Sequence, residues 1–219
     1  DRGLVGSEMC IRDRSNIRKT PEEAVEDLRA IAEFRAGLPK DEQFILEVGL
    51  STAFGCTMEG HVPDDDILRL GAMCLEAGAD EVAPSDTVGY ANPGQVTRVY
   101  KRCFAEFGAD KVGGGHFHNT RGLGIANCLA AYEVGIRAFD TSLAGLGGCP
   151  FAPGASGNVV TEDLVFMFEA MGVRTGIDID AMLACREIVR AALPEDPLYG
   201  HLSESCLLYT SDAADDQAC

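Results

Sequence analysis

Basic residues are scarce in this sequence: 18 Lys and Arg stand against 35 Asp and Glu, for a formal net charge of -17. A nucleic acid partner is excluded on that ground, because such partners are held by a surplus of cations on phosphates. Any anionic substrate would need a local cationic pocket or a bound metal to overcome the repulsion. Long apolar runs are also missing, and nothing approaches the roughly 18 residues of a membrane span. No basic start leads into an apolar segment and a small-residue cleavage site, so nothing invokes export and a cytoplasmic location is expected. The nine cysteines contain no CxxC pair and are odd in number. They therefore fit neither a disulfide framework nor a structural zinc site, and reduced, mostly buried thiols are expected. What is present is ordinary for a globular protein, with 46% hydrophobic and 24% charged residues over 219 positions. A single domain accommodates that length.

The two ends stand apart. Met9, Cys10, Ile11, Arg12, Asp13 and Arg14 can be encoded as ATG TGT ATA AGA GAC AGx. The reverse complement of that DNA reads, in frame, as Cys206, Leu207, Leu208, Tyr209 and Thr210. An inverted repeat flanking an insert resembles translated library adapter, so residues 1–14 and 206–219 are expected to be foreign and 15–205 native.

Within the native part three segments repeat: Glu76-Ala77-Gly78-Ala79-Asp80-Glu81-Val82, Glu106-Phe107-Gly108-Ala109-Asp110-Lys111-Val112 and Glu133-Val134-Gly135-Ile136-Arg137-Ala138-Phe139. Each glycine follows an amphipathic run and precedes a short apolar stretch, the order of a helix, its terminal glycine and a strand. Thr20-Pro21-Glu22-Glu23 opens a helix as a capping box, with Ala24, Leu28 and Ile31 facing inward before Gly37. Another helix runs from about Asp64 through Ile67, Leu70 and Cys74 to Gly78. Asn92 caps a third with Pro93 at its first position, and a further one starts near Thr161. Strands are expected over 44–50, 81–83, 111–116 and 138–143. Strict alternation calls for a parallel α/β sheet, either half of a (β/α)8 barrel or an open doubly wound sheet.

Asp86 and His116 both lie eight residues after their unit's glycine, at the carboxyl end of a strand, which is the catalytic end in barrels. His118 follows at i+2 and projects to the same side as His116. The pair either binds one cation or divides into a rim contact and an exposed ring. After the last strand comes a glycine-rich loop, 145–158, which is either a phosphate cradle or a lid carrying a reactive thiol, Cys149. Asn158 is either a helix cap or an oxygen donor to a hard cation.

Gly115-His116-Phe117-His118-Asn119-Thr120-Arg121-Gly122, the loop 145–158 and Thr161-Glu162-Asp163-Leu164 resemble the signature segments of hydroxymethylglutaryl-CoA lyases, and the similarity runs over about 16–202. The paired histidines alone are shared with a wider set of metal-dependent barrel lyases and condensing enzymes. The resemblance implies a partial TIM (β/α)8 barrel, roughly strands 5 to 8 with their helices. It implies that His116, His118 and Asn158 hold a divalent cation, magnesium or manganese, that Cys149 and Asp86 are catalytic, and that Asp86 and Glu162 are acidic site positions. It further implies an acyl-CoA substrate, with a homodimer as a possible assembly. The implied reaction is cleavage of 3-hydroxy-3-methylglutaryl-CoA to acetyl-CoA and acetoacetate, with citramalyl-CoA as the alternative substrate. One departure stands out: the family's Arg-Asp motif on the first barrel strand, which supplies the remaining ligand, has no counterpart, since Arg12-Asp13 falls in the adapter-like segment. The chain as given is accordingly expected to be an inactive fragment.

Overall fold

The computed structural model describes the backbone of residues 3–8 and, in full, residues 19–57, 60–147 and 157–205. Five parallel strands, β1 (Gly3–Glu8), β2 (Leu46–Ser51), β3 (Glu81–Asp86), β4 (Gly115–Phe117) and β5 (Phe139–Asp140), form one sheet in sequence order. Helices α1 (Pro21–Ala36), α2 (Asp64–Glu76), α3 (Pro93–Phe107), α4 (Gly124–Val134), α5 (Thr161–Ala170) and α6 (Ile179–Ala192) intervene and follow. Each helix lies beside the next, so they make one layer. The strand order contains no reversal, which separates this winding from the doubly wound alternative.

Local chemistry explains most boundaries. The capping box opening α1 is complete, with the Glu23 N–H donating to Thr20 Oγ1 at 3.2 Å and the Thr20 N–H to Glu23 Oε2 at 2.7 Å. Asn92 Oδ1 accepts from the Gln95 N–H at 3.0 Å at the start of α3. That helix stops at Gly108, whose φ of 87° a side chain would resist. The four strands expected within 15–205 are all present, while β1 falls inside the segment 1–14 read as adapter. Pairing along an open parallel edge uses main-chain groups alone, so an extended segment of any sequence can take that place.

The core lies between sheet and helices. Leu46, Val48 and Leu50 alternate along β2, all fully buried, and meet Leu28, Ile67, Leu70, Val96, Val99 and Tyr100 from the helices. Each large side chain so buried contributes about 1.5–3 kcal/mol. Alternation then puts Glu47, Gly49 and Ser51 on the opposite, inner face of the sheet.

β4 departs from the expected strand over 111–116. The Val82 carbonyl accepts from the Gly113 N–H at 2.9 Å and the Asp86 carbonyl from the His118 N–H at 3.2 Å. Between these bonds β3 advances four residues (86 − 82) and its neighbour five (118 − 113), so one residue is surplus and the ladder is bulged. The residue midway on β3 is Pro84, which turns the same edge to its neighbour and has no N–H to give. The bulge thus falls where a donor is missing. Ala109–Lys111 forms a 3-10 turn, and regular pairing resumes at Gly115–Phe117.

Asp64 fastens α2 to α3. Its carboxylate accepts from Arg98 Nε at 2.8 Å and Nη2 at 3.2 Å and lies 3.4 Å from Arg102 Nη1. The Arg98 hydrogen bonds hold its carboxyl below the usual aspartate range. Because the folded value is depressed, this stabilisation is complete above the unfolded value of about 3.9 and is lost as pH falls through the folded one. Asp64→Asn should lower stability by about 1 kcal/mol or less at neutral pH. Urea titrations of both proteins at descending pH should show the gap closing below about pH 4; a gap independent of pH would contradict the ion-pair account.

Candidate active site at the carboxyl end of the strands

His116 and His118 leave β4 at alternate positions, and their rings stand side by side, centroids 5.3 Å apart and planes at 42°. His118 is buried and His116 half-buried. Phe117 between them points the other way, into the core, where it packs on Phe54 at 5.8 Å and Tyr100 at 6.4 Å. The alternation expected from the sequence is therefore present. His116 is paired in register with Asp140 of β5, and its Nδ1 lies 3.1 Å from Asp140 Oδ2. A carboxylate can only accept, so Nδ1 carries a proton and, in the neutral ring, Nε2 presents its lone pair. Metal-ligating imidazoles are held in this way.

The chain returning from the glycine-rich loop runs antiparallel beside β4. His118 and Asn158 form a bridge, and the Val159 N–H donates to the Phe117 carbonyl at 2.9 Å. The residue capping α5 is Val160, without a side-chain bond. Of the two roles open to Asn158, helix cap is thereby removed, and the bridge sets the residue abreast of His118. Two ring nitrogens and an amide oxygen suit a divalent cation but leave the set without a carboxylate. Among the described residues no group of three or more His, Cys, Asp and Glu is arranged to hold an ion.

Asp86 sits at its expected strand end, but its register partner is Phe117, and its side chain is fully buried. Oδ1 accepts from the Tyr90 N–H at 2.8 Å and Oδ2 from the Ala91 N–H at 3.1 Å. Burial pushes its acid up to about 6 against those amides. The carboxylate is thus held by the loop that follows β3, with His116 near enough to act on it electrostatically.

Glu162, the other acidic position, is also fully buried. Both of its oxygens lie 3.0 Å from the Ala144 N–H, and Arg186 Nη1 donates to Oε1 at 3.0 Å. The same Nη1 donates to the Tyr199 carbonyl at 2.7 Å, while the Tyr199 N–H returns to the Ala144 carbonyl at 2.8 Å. This closed ring fixes Ala144 in a left-handed conformation, φ 57°, that costs an alanine about 1 kcal/mol or more. Ala144 begins the stem of the glycine-rich loop. The other stem passes so close that a Cβ on Gly157 would lie 2.4 Å from the Leu146 carbonyl oxygen, which only glycine avoids. Cys149 lies outside the described residues.

Asp140, Glu47 and Arg186 were not singled out from sequence. An acid inside an apolar strand, as in Ile45-Leu46-Glu47-Val48, is a readable signal for an inward-facing group. Arg186 gave none, being one cation of a two-sided helix.

The sequence matches the model of the HMGL-like family over residues 6–189. The chain belongs to this family. It is 39% identical over 172 residues to hydroxymethylglutaryl-CoA lyase YngG of Bacillus subtilis, covering 78% of this chain and 56% of that protein. It is 38% identical over 181 residues to (R)-citramalyl-CoA lyase of Chloroflexus aurantiacus, covering 83% and 56% respectively. The crystal structure of the Bacillus subtilis HMG-CoA lyase superposes with a TM-score of 0.84 at 34% identity, over 93% of this chain and 66% of that one. An HMG-CoA lyase from Acinetobacter baumannii, in complex with coenzyme A and 3-methylmalate, gives 0.83 at 36% identity, over 93% and 64%. The chain thus spans little more than half the length of these curated relatives, 56% in both cases.

Removing Arg186 would strand the Glu162 carboxylate in the HMGL-like core. Arg186→Met should cost about 3 kcal/mol or more, and Arg186→Met with Glu162→Gln should recover most of it, because a lone buried charge costs more than a neutral pair. Urea unfolding of the three proteins checks this; a single variant as stable as the parent would show that the ring carries no load.

Proposed function

We propose that the complete protein represented by residues 15–205 is a carbon-carbon lyase that cleaves 3-hydroxy-3-methylglutaryl-CoA into acetyl-CoA and acetoacetate. These residues then make up roughly strands 5 to 8 of a (β/α)8 barrel with their helices, and 1–14 and 206–219 are adapter-derived. The observation carrying this is the placement of two adjacent imidazoles beside Asn158 in a chain of the HMGL-like family. No helix among the described residues is long and apolar enough to cross a membrane, and a cytoplasmic location with a homodimeric assembly goes with the proposal.

His116, His118 and Asn158 would hold magnesium or manganese, with an aspartate from the first barrel strand as the further ligand. When bound, the cation supplies Lewis-acid stabilisation of the charge that develops on the substrate oxygens. Asp140 keeps the His116 ring turned with Nε2 toward the site. Asp86 acts as a positioning residue, holding the turn after β3 whose Asp86 carbonyl carries the His118 N–H. Cys149, at the centre of the loop whose stems meet beside Asn158, is the proposed acid. Loss of the hydroxyl proton to a base lets the bond between the carbinol carbon and the thioester α-carbon break. The electron pair goes to the α-carbon, acetoacetate leaves, and the thiol proton completes acetyl-CoA.

A second substrate is favoured by one observation: the citramalyl-CoA lyase is as similar to this chain as the hydroxymethylglutaryl-CoA lyase, 38% against 39%. Both enzymes break the same kind of bond. Fusing residues 15–205 to the amino-terminal half of a relative and assaying the two thioesters separates them. Release of acetoacetate is the expected result, pyruvate release from citramalyl-CoA would move the substrate assignment, and no cleavage of either would overturn the lyase proposal. The given chain alone is expected to be inactive. In the fused enzyme Cys149→Ala should lower turnover by on the order of a hundredfold or more with manganese affinity unchanged, and a variant with normal turnover would remove Cys149 from the mechanism.

A further inference from the structure

The surplus residue of the β4 bulge has a distinctive environment. Gly113 and Gly115 give their N–H groups to the Val82 and Ala138 carbonyls, each at 2.9 Å, on the strands to either side. Gly114 between them is held by side chains instead. Its N–H donates to Glu47 Oε2 at 3.3 Å, and its carbonyl accepts from the Tyr100 hydroxyl at 3.1 Å. Tyr100 comes from α3 on the outer side, and its single hydroxyl proton is shared with the carbonyl of Pro84, 3.2 Å away, the residue that lacks an N–H. Glu47 comes from the inner face, two strands away, and reaches across β3 to do so. Its carboxyl fills the space a side chain on Gly113 would need, since a Cβ there would lie 2.4 Å from Oε2. Glu47 is 5% exposed and is also hydrogen-bonded to Glu81. Burial and that neighbour raise its acid, and the Gly114 amide opposes them.

A bulge changes the direction of the side chains that follow it, and here these are His116 and His118. We infer that Glu47 is a positioning residue for the imidazole pair, acting through the Gly114 peptide that it holds from inside while Tyr100 holds it from outside. The inference rests on the proposed cation site for its functional meaning, but the geometry it asserts can be tested without a cation. Glutamine can reproduce what Glu47 does, since its carbonyl accepts from Gly114 and its amide donates to Glu81. Alanine reproduces neither and leaves a buried N–H without a partner unless the bulge moves.

The chain has four histidines, His61, His116, His118 and His201, so two imidazoles report and two serve as controls. In the full chain labelled with 15N-histidine, Glu47→Ala should shift the ring signals of His116 and His118 and leave those of His61 and His201 in place. Glu47→Gln should leave all four unchanged. Tyr100→Phe removes only the outer hydroxyl and should shift the same two signals, so the test survives if Glu47→Ala fails to fold. Titration with Mn2+ alone should show affinity falling on the order of tenfold for Glu47→Ala and kept by Glu47→Gln. Unmoved His116 and His118 signals in a folded Glu47→Ala or Tyr100→Phe protein would overturn the inference. A parent chain that binds no Mn2+ while those signals still move would sink the cation site and leave the positioning role standing.

Discussion

One peptide unit with no place in the ladder governs how this site is built. Between the Gly113 and His118 hydrogen bonds to β3 the chain carries one residue more than its neighbour, and Pro84 opposite supplies no N–H. A buried peptide group cannot be left unpaired at low cost, so the surplus unit must be satisfied from elsewhere. Glu47 and Tyr100 do this from opposite faces of the sheet. Everything further along, the direction of both imidazoles and the alignment of His118 with Asn158, depends on where that unit settles. Two of the three successive glycines follow from the same constraint, since side chains at 113 or 115 would collide with Glu47 or with Phe117 and Phe139.

Charge is managed in a similar way. A chain with net charge -17 brings Glu81 and Asp140 close enough to Glu47 on the inner face to raise its acid, yet each of the three has a hydrogen-bonding partner. Glu47 and Glu81 share a hydrogen bond, and Asp140 takes the His116 ring. Glu162 is paired with Arg186, and Asp86 accepts from two loop amides. These acids therefore fix turns and, through Asp140, the orientation of the His116 ring. Residues that orient a proposed ligand need not touch substrate to matter, because an error of an ångström in a ligand is felt in affinity and rate.

What could be read from the sequence was mostly local. The caps at Thr20 and Asn92, the glycine stops and the i, i+2 spacing of the histidines all depend on neighbours within a few residues, and the structure places them as expected. The alternation of strand and helix likewise carried the parallel sheet. The rest depends on register between distant segments. That Pro84 faces Gly114, that Asp140 meets His116, or that Arg186 reaches Glu162 follows from which residues lie abreast, and a one-residue slip changes every answer. Asp86 shows the same limit from the other side: its strand end was legible, but the face it turned to was not. The helix α6 was missed because neither a repeat nor a capping box announced it, although Asp178 does cap it by accepting from the Ala181 N–H at 3.0 Å.

The central claim is convergence: two imidazoles from one strand and one amide from the returning chain form a single cation site at the carboxyl end of the sheet. Crystals of the chain grown with manganese, measured at a wavelength where the metal scatters anomalously, test it most directly. The account predicts one strong peak about 2.0–2.3 Å from a ring nitrogen of both His116 and His118, with the Asn158 side-chain oxygen turned toward it. A peak bound to one ring alone, or held elsewhere on this acidic surface with the two rings empty, would contradict it.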